Sequence, residues 1–278
     1  MLAEISKQED GVMSDSFMFT PGNAPLIISI PHMGVNVPPD LATKMTHVGR
    51  QLADTDWHLD LLYDFANDLG ASLLMARYSR YVVDLSRPPN DETLYPGQTK
   101  TGLFPQFTFR GEPIYADMTE LDEQERNQRL VDYWHPYHEC LTGEIARLKR
   151  AHGQVLVWEA HSIASVLPRL FEGKLPDLNI GTNAGASAAF EVLNPIEAYL
   201  KSCEYTYAVN GRFKGGYNTR HYGDPTNGVH VVQLEMCQST YMSEDAPFEY
   251  QPELADQVKP VVRGLVEVAL DAVVKLAR

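Results

Sequence analysis

Three apolar runs of this chain stop on residues that can hold a metal or move a proton. The first is Gln154-Val155-Leu156-Val157-Trp158-Glu159-Ala160-His161-Ser162. In an extended strand Val155, Val157, Glu159 and His161 share one face, so a core-facing pattern turns polar at its C-terminal end. Leu26 to Ile30 runs into Pro31-His32, and Val229 to Leu234 runs into Glu235. That end of a strand is where ligands bind in open α/β sheets. Strands that close on His, His and Glu carry the groups of a hydrolytic metal centre: imidazoles as ligands and a carboxylate as general base.

Asp54-Thr55-Asp56-Trp57-His58 offers the acidic ligand. Asp54 or Thr55 can cap an expected helix, and acids suit a helix start. Capping explains one acid better than two. Asp56 is then the candidate third ligand, with His58 its rival in the same segment. His32, Asp56 and His161 would leave a fourth position for water, as in a catalytic zinc site. The ordinary alternatives are a loop histidine, a cap and a satisfied core histidine. Glu159 could accept a hydrogen bond from a ligand histidine or simply be solvated. Glu235 is either the base or half of a buried ion pair, because a lone carboxylate there is costly to bury. Arg80 and Arg87 flank Tyr81 to Ser86, and Arg220 and His221 sit in Asn218-Thr219-Arg220-His221-Tyr222-Gly223. Arginines often serve only solubility, but at strand ends and in polar loops they can fork onto carboxylates.

Other constellations are weaker. His135, His138 and Glu139 have helix-face spacing, yet Pro136 interrupts the helix and Trp134 and Tyr137 point to packing. GxSxG, Walker A and complete GxGxxG motifs are absent. Cys237 and His230 lie on opposite strand faces. Gly181 to Gly185 is an anion cradle or an ordinary strand-to-helix turn.

The elements that must position these groups follow from periodicity. Strands are expected at Leu26–Ile30, Ser72–Tyr78, Tyr81–Leu85, Gln154–Glu159, Leu178–Gly181, Tyr205–Val209 and Val229–Glu235. Helices are expected at Leu52–Leu69, Asp122–Arg150 (broken near His135 by Pro136), Ala186–Lys201 and Pro252–Ala277. Pro260 either kinks the last helix or starts it. Strands alternating with helices give an α/β fold with a mixed, mostly parallel sheet flanked by helices. The long segments 86–119 and 211–228 lack periodicity and are functional-loop candidates. The first could be a lid or hold a subunit contact in a homo-oligomer.

The chain has 278 residues, 44% of them hydrophobic, and a formal net charge of −14. That length supports one sizeable core, expected here as a single domain over residues 1–278 with 1–24 as an N-terminal extension. So acidic a chain is a poor partner for nucleic acid or an anionic membrane. An anionic substrate would need a local arginine cluster. Cys140, Cys203 and Cys237 form no CxxC and no secreted disulfide pattern. Met1 to Ser16 lacks the layout of a signal peptide, and no apolar run is of membrane-spanning length. A cytoplasmic protein is expected.

At these residues the chain resembles the N-formylglutamate amidohydrolase family over nearly its whole length, from Pro25 to Tyr241. The likeness rests on Ser29-Ile30-Pro31-His32, Asp54 to His58, Ser79 to Arg87, Glu159-Ala160-His161-Ser162, Thr219 to Gly223 and Gln233-Leu234-Glu235-Met236. That family is distantly similar to zinc carboxypeptidases, which share a mixed α/β sheet, a first histidine ligand after an early strand and a later His-Ser at a strand end. The resemblance implies His32 and His161 as zinc ligands, Arg87 as a carboxylate clamp and Glu235 as base. The carboxypeptidase-type His-x-x-Glu is missing, since position 35 is Val35; the carboxylate ligand is assigned to Asp56. Ser86 replaces the asparagine of the related Asp-x-Asn-Arg segment. The implied reaction is metal-dependent hydrolysis of N-formyl-L-glutamate to formate and L-glutamate in histidine degradation. Arg80 would help at the oxyanion, and Arg87 and Arg220, with His221, would bind substrate. The rivals are an amidohydrolase for another N-acyl or N-formimidoyl acidic amino acid, and a non-catalytic binder of acidic amino acids.

Overall fold

The computed structural model describes residues 12–13, 15–93, 101–117 and 121–278. Its strands are β1 Val12–Met13, β2 Phe17–Thr20, β3 Leu26–Ile30, β4 Ser72–Ala76, β5 Val155–Ile163, β6 Leu178–Gly181, β7 Tyr207–Val209 and β8 Val229–Cys237. Its α-helices are α1 Pro39–Lys44, α2 Leu59–Leu62, α3 Glu123–Arg129, α4 His135–His152, α5 Phe190–Leu200, α6 Tyr217–Tyr222 and α7 Pro252–Leu276. The strands form one sheet in the order β1-β2-β4-β3-β5-β8-β6-β7. β4, β3, β5 and β8 are mutually parallel, β6 runs antiparallel to β8, and β2 antiparallel to β4. This is the expected single-domain α/β architecture with a mixed sheet.

β5 and β8 are buried at all nine positions of each, as central strands covered on both faces must be. Leu156, Trp158 and Ala160 pack with Ile28, Ile30, Val232 and Leu234 beneath α2, α5 and α7. Val155 and Val157 pack with Ile27, Val229 and Val231 against Tyr137, Leu141 and Leu148 of α4. This second face turns polar toward its C-terminal end, at Glu159, His161, Gln233 and Glu235.

Several elements differ from expectation. The helix over 52–69 shrinks to α2 and a 3-10 turn at Asp64–Ala66. Leu52 and His58 have φ of 51° and 62°, and long-range bonds hold the chain between them: Asp56 N–H donates to His32 O at 3.0 Å, and Gln238 Nε2 donates to Thr55 O at 2.9 Å. Tyr81–Leu85 is not a strand. The adjacent Tyr81 and Val82 join one apolar cluster and Val83 and Leu85 another, so the two clusters do not alternate along the segment as strand faces would, and the chain turns. The break near His135 is absorbed by a π-helical turn at Leu130–Trp134 that leads into α4. α7 runs unbroken through Pro260 from its start at Pro252. The segment before Pro25 is no mere extension where it is described, because β1 and β2 add an antiparallel edge to the sheet. Residues 1–11, read above for a signal peptide, and 94–100 and 118–119 of the first long loop lie outside the described residues. Among the described residues no helix is long and apolar enough to cross a membrane.

Candidate active site

The register of β5 on β8 makes His161 and Glu235 direct neighbours. β3 lies on the other side of β5, and its continuation carries His32, so the two imidazoles approach with ring centroids 4.9 Å apart. Asp56 arrives on the 54–58 turn. Its Oδ2 lies 3.2 Å from His161 Nδ1 and 3.8 Å from His32 Nδ1. A tetrahedral ion with bonds of ~2.0–2.1 Å spaces its ligand atoms about 3.3 Å apart. All three side chains are buried, and among the described residues His32 Nδ1 and Asp56 Oδ1 have no hydrogen-bond partner. A buried ring nitrogen and a carboxylate oxygen left in this state are costly unless something satisfies them. Two imidazoles and a carboxylate are donors that zinc accepts. The residues present therefore fit a divalent cation.

Further hydrogen bonds orient these three side chains. His32 Nε2 pairs with Asp84 Oδ1 at 2.8 Å. Ser86 N–H also donates to that oxygen, at 2.9 Å, and Arg80 donates to Oδ2 at 2.6 Å. The carboxylate fixes the proton on Nε2 and turns the Nδ1 lone pair toward Asp56 and His161. Burial alone would raise the Asp84 pKa, but Arg80 and His32 hold it well below the ordinary carboxylate range. On His161, Nε2 lies 3.8 Å from Glu159 Oε2 and 3.5 Å from Ser86 Oγ. Glu159 accepts from Asn218 at 3.0 Å and is fully buried, so it lies behind His161 rather than in solvent. Burial pushes the Glu235 carboxyl above its ordinary value; His161 opposes this and Asp56 adds to it.

His58 is excluded from the cluster. Its left-handed backbone turns the ring toward Phe248 O, 2.7 Å from Nε2, and toward Tyr250. Asp54 anchors the loop that follows, accepting from Phe109 N–H at 2.8 Å.

A cavity opens in front of the cluster, and Glu235, Arg80, Arg87 and Arg212 line it. Arg80 lies 2.6 Å from Asp84, 3.9 Å from Asp56 and stacks over Phe109, so its charge is directed at carboxylates of the protein. Arg87 donates to Thr101 Oγ1, and Arg212 donates to Leu170 O from Nε at 3.1 Å and from a terminal nitrogen at 3.0 Å. Arg220 and His221 do not line the cavity, contrary to expectation. α6 turns Asn218 and Thr219 inward, onto Glu159 and Gln233. Arg220 is thereby directed to Gly215 O at 3.0 Å, and His221 is exposed and stacked on Tyr217. Sequence reasoning missed Arg212, which lies in the same aperiodic segment, and the role of Asp84, which lies inside a motif it did single out.

Among the described residues His135 and His138 form no second metal site. His138 stacks on Trp134 at 3.7 Å, accepts from Tyr222 OH at 2.7 Å and donates to Leu85 O at 3.0 Å. Burial pushes its imidazole down to about 3 from 6.5; the Leu85 bond opposes this. The unfolded chain takes up this proton near the ordinary value, while the folded chain resists until about pH 3. The stabilisation is therefore complete above the ordinary imidazole pKa and is lost as the pH falls. Acidifying from neutrality to about pH 5 should cost roughly 2 kcal/mol from this group. Urea unfolding of wild type and His138→Gln at both pH values measures it. The variant should lose less stability than the wild type, and equal losses would contradict the assignment.

Residues 24–242 match the sequence profile of the N-formylglutamate amidohydrolase family. The chain is similar to the N-formylglutamate deformylase of Pseudomonas aeruginosa, with 48% identity over 256 residues, which is 92% of this chain and 96% of that protein. It is 45% identical over 259 residues to the N-formylglutamate deformylase of Pseudomonas putida, covering 93% of this chain and 97% of the relative. Among solved structures it is similar to N-formylglutamate amidohydrolase from Ralstonia eutropha JMP134, with a TM-score of 0.77 and 25% identity, covering 93% of this chain and 97% of that one. With a matched region that spans most of the chain, this protein belongs to the N-formylglutamate amidohydrolase family.

Proposed function

We propose that the protein hydrolyses N-formyl-L-glutamate to formate and L-glutamate, with a divalent cation, zinc by its donor set, held by His32, Asp56 and His161. The observation that carries this reading is the buried His-Asp-His cluster with Glu235 on the adjacent strand. Relatives named as N-formylglutamate deformylases support the substrate. When bound, such a cation supplies Lewis acidity, polarising the amide carbonyl and acidifying a water. Glu235 takes the water proton and returns it to the leaving amine, so that the C–N bond breaks without expelling an amide anion. Asp84 keeps His32 in the ligand tautomer. Arg80 screens the carboxylates around the cluster and faces the cavity where oxyanion charge develops.

Arg87 and Arg212, rather than Arg87 and Arg220, bind the two carboxylates of the glutamate portion. They place cationic donors on the cavity walls of an otherwise acidic protein. The reaction belongs in the degradation of histidine, in the cytoplasm, on a soluble small molecule rather than a nucleic acid or membrane.

The test is formate release from N-formyl-L-glutamate, its two mono-amides and N-acetyl-L-glutamate as control, with and without chelator and with metal analysis of the same sample. Chelator-sensitive formate release is expected. No release, or release indifferent to chelator, would reject the reading in favour of an acidic amino acid binder or a metal-independent route. Arg87→Ala and Arg212→Ala should each lower kcat/KM for N-formyl-L-glutamate by roughly 10- to 100-fold, the worth of a charge-assisted hydrogen bond. Each loss should nearly vanish on one of the two mono-amides. Losses that are uniform across substrates would remove the clamp.

A further inference from the structure

We propose that the π-helical turn at Leu130–Trp134 is a positioning device for the cavity wall, and that Trp134 is the residue that holds Arg87 in place. The segment 82–87 forms neither strand nor helix, yet it carries three groups at the site. Asp84 pairs with His32, Ser86 Oγ lies 3.5 Å from His161, and Arg87 lines the cavity. Its carbonyls are held by donors from one helical face. Arg129 donates to Val82 O at 3.1 Å, His138 to Leu85 O at 3.0 Å, and Trp134 Nε1 to Arg87 O at 3.0 Å.

Regular α-helical winding could not align these donors. At about 100° per residue, the five-residue step from Arg129 to Trp134 would leave the two side chains roughly 140° apart. The i→i+5 bonding of a π turn takes up the extra residue and returns both to one side. The next four-residue step, in α4, brings His138 beneath Trp134, where the rings stack at 3.7 Å. The Tyr222 hydroxyl donates to His138 Nδ1 and thereby fixes Nε2–H as the donor to Leu85. On the outer side of the turn Val131 is left 60% exposed. An apolar residue in solvent is the consequence when the inner face sets the register. π turns of this kind are uncommon and concentrate at functional sites.

This inference rests on Arg87 binding a substrate carboxylate, and two readouts separate its failure from a failure of that assignment. Trp134→Phe keeps the ring and its stacking and removes one N–H donor. KM for N-formyl-L-glutamate should rise about 5- to 10-fold, the scale of one hydrogen bond that leaves a buried acceptor behind. kcat should stay within about twofold and metal content should not change. The penalty should vanish on the same mono-amide that is indifferent to Arg87→Ala. Independently of any substrate, amide hydrogen exchange over 82–87 should quicken. His138→Phe removes the donor to Leu85 from the same face and should reproduce the exchange result if Trp134→Phe does not fold. Unchanged exchange in the folded variant overturns the proposal, as does a kinetic penalty shared equally by every substrate. If Arg87→Ala shows no preference among substrates while exchange quickens, the grip stands and the Arg87 assignment is what fails.

Discussion

Glu235→Gln should lower kcat for formate release by about 10³-fold, within the range of general acid–base catalysis, while metal content and KM stay near wild type. Glutamine matches the shape of glutamate and keeps the contact at the end of β8, where Gln233 Nε2 reaches Glu235 Oε2 at 3.4 Å. What it lacks is a site for the proton. The position leaves little room for a substitute, because Glu235 is buried and sits in register with His161. The pH profile is a second reading of the same group. A base must be ionised to act, and burial raises the pKa of this one above its ordinary 4.5. Activity should therefore rise with pH through a limb above the usual carboxylate range, and that limb should be absent from whatever activity Glu235→Gln retains. Near-normal turnover in the variant would end its assignment as base.

His161→Ala should lose its bound metal on dialysis and with it at least about 10³-fold in kcat, since water activation and carbonyl polarisation depend on the ion. Asp84→Asn is the graded comparison. It leaves all three proposed ligands in place but weakens the bond that orients His32, and should reduce metal affinity by roughly 10- to 100-fold. Elemental analysis and competition with a chelator measure both variants. Affinity should also depend on pH in a definite sense. Burial works against a charged His161, but the neighbouring carboxylates of Asp56 and Glu159 raise its pKa above the ordinary imidazole value. A cation must displace that proton, so affinity should increase with pH until the imidazole is neutral without assistance. Full metal occupancy in His161→Ala would exclude it as a ligand.

What the chain revealed by itself was local. Short, nearly continuous apolar runs identified the central strands, and those strands could be seen to end in polar groups because a buried valine position rarely becomes histidine or glutamate without reason. His32, His161 and Glu235 stood out on that ground. The alternation of strands and helices pointed to the α/β architecture, and the motifs around these residues pointed to the family. The motif around Asp84 was visible too, but its meaning was not. Read as a strand, Tyr81–Leu85 would have alternated its side chains; folded as turns, it brings Arg80 and Asp84 together and sets Asp84 on His32.

The tertiary structure decided whatever depended on where distant segments meet. Asp56 rather than His58 joins the histidines because bonds from His32 and Gln238 hold the 54–58 turn in a form that helix propensity alone would not choose. Arg212 rather than Arg220 lines the cavity because Glu159 and Gln233, which belong to other strands, capture the inner face of α6. The aligned donors Arg129, Trp134 and His138 could not be found from spacing, because their common face exists only when the helix is locally unwound. A side chain's direction is fixed by partners far away in the chain, and periodicity records only the average face that each element buries.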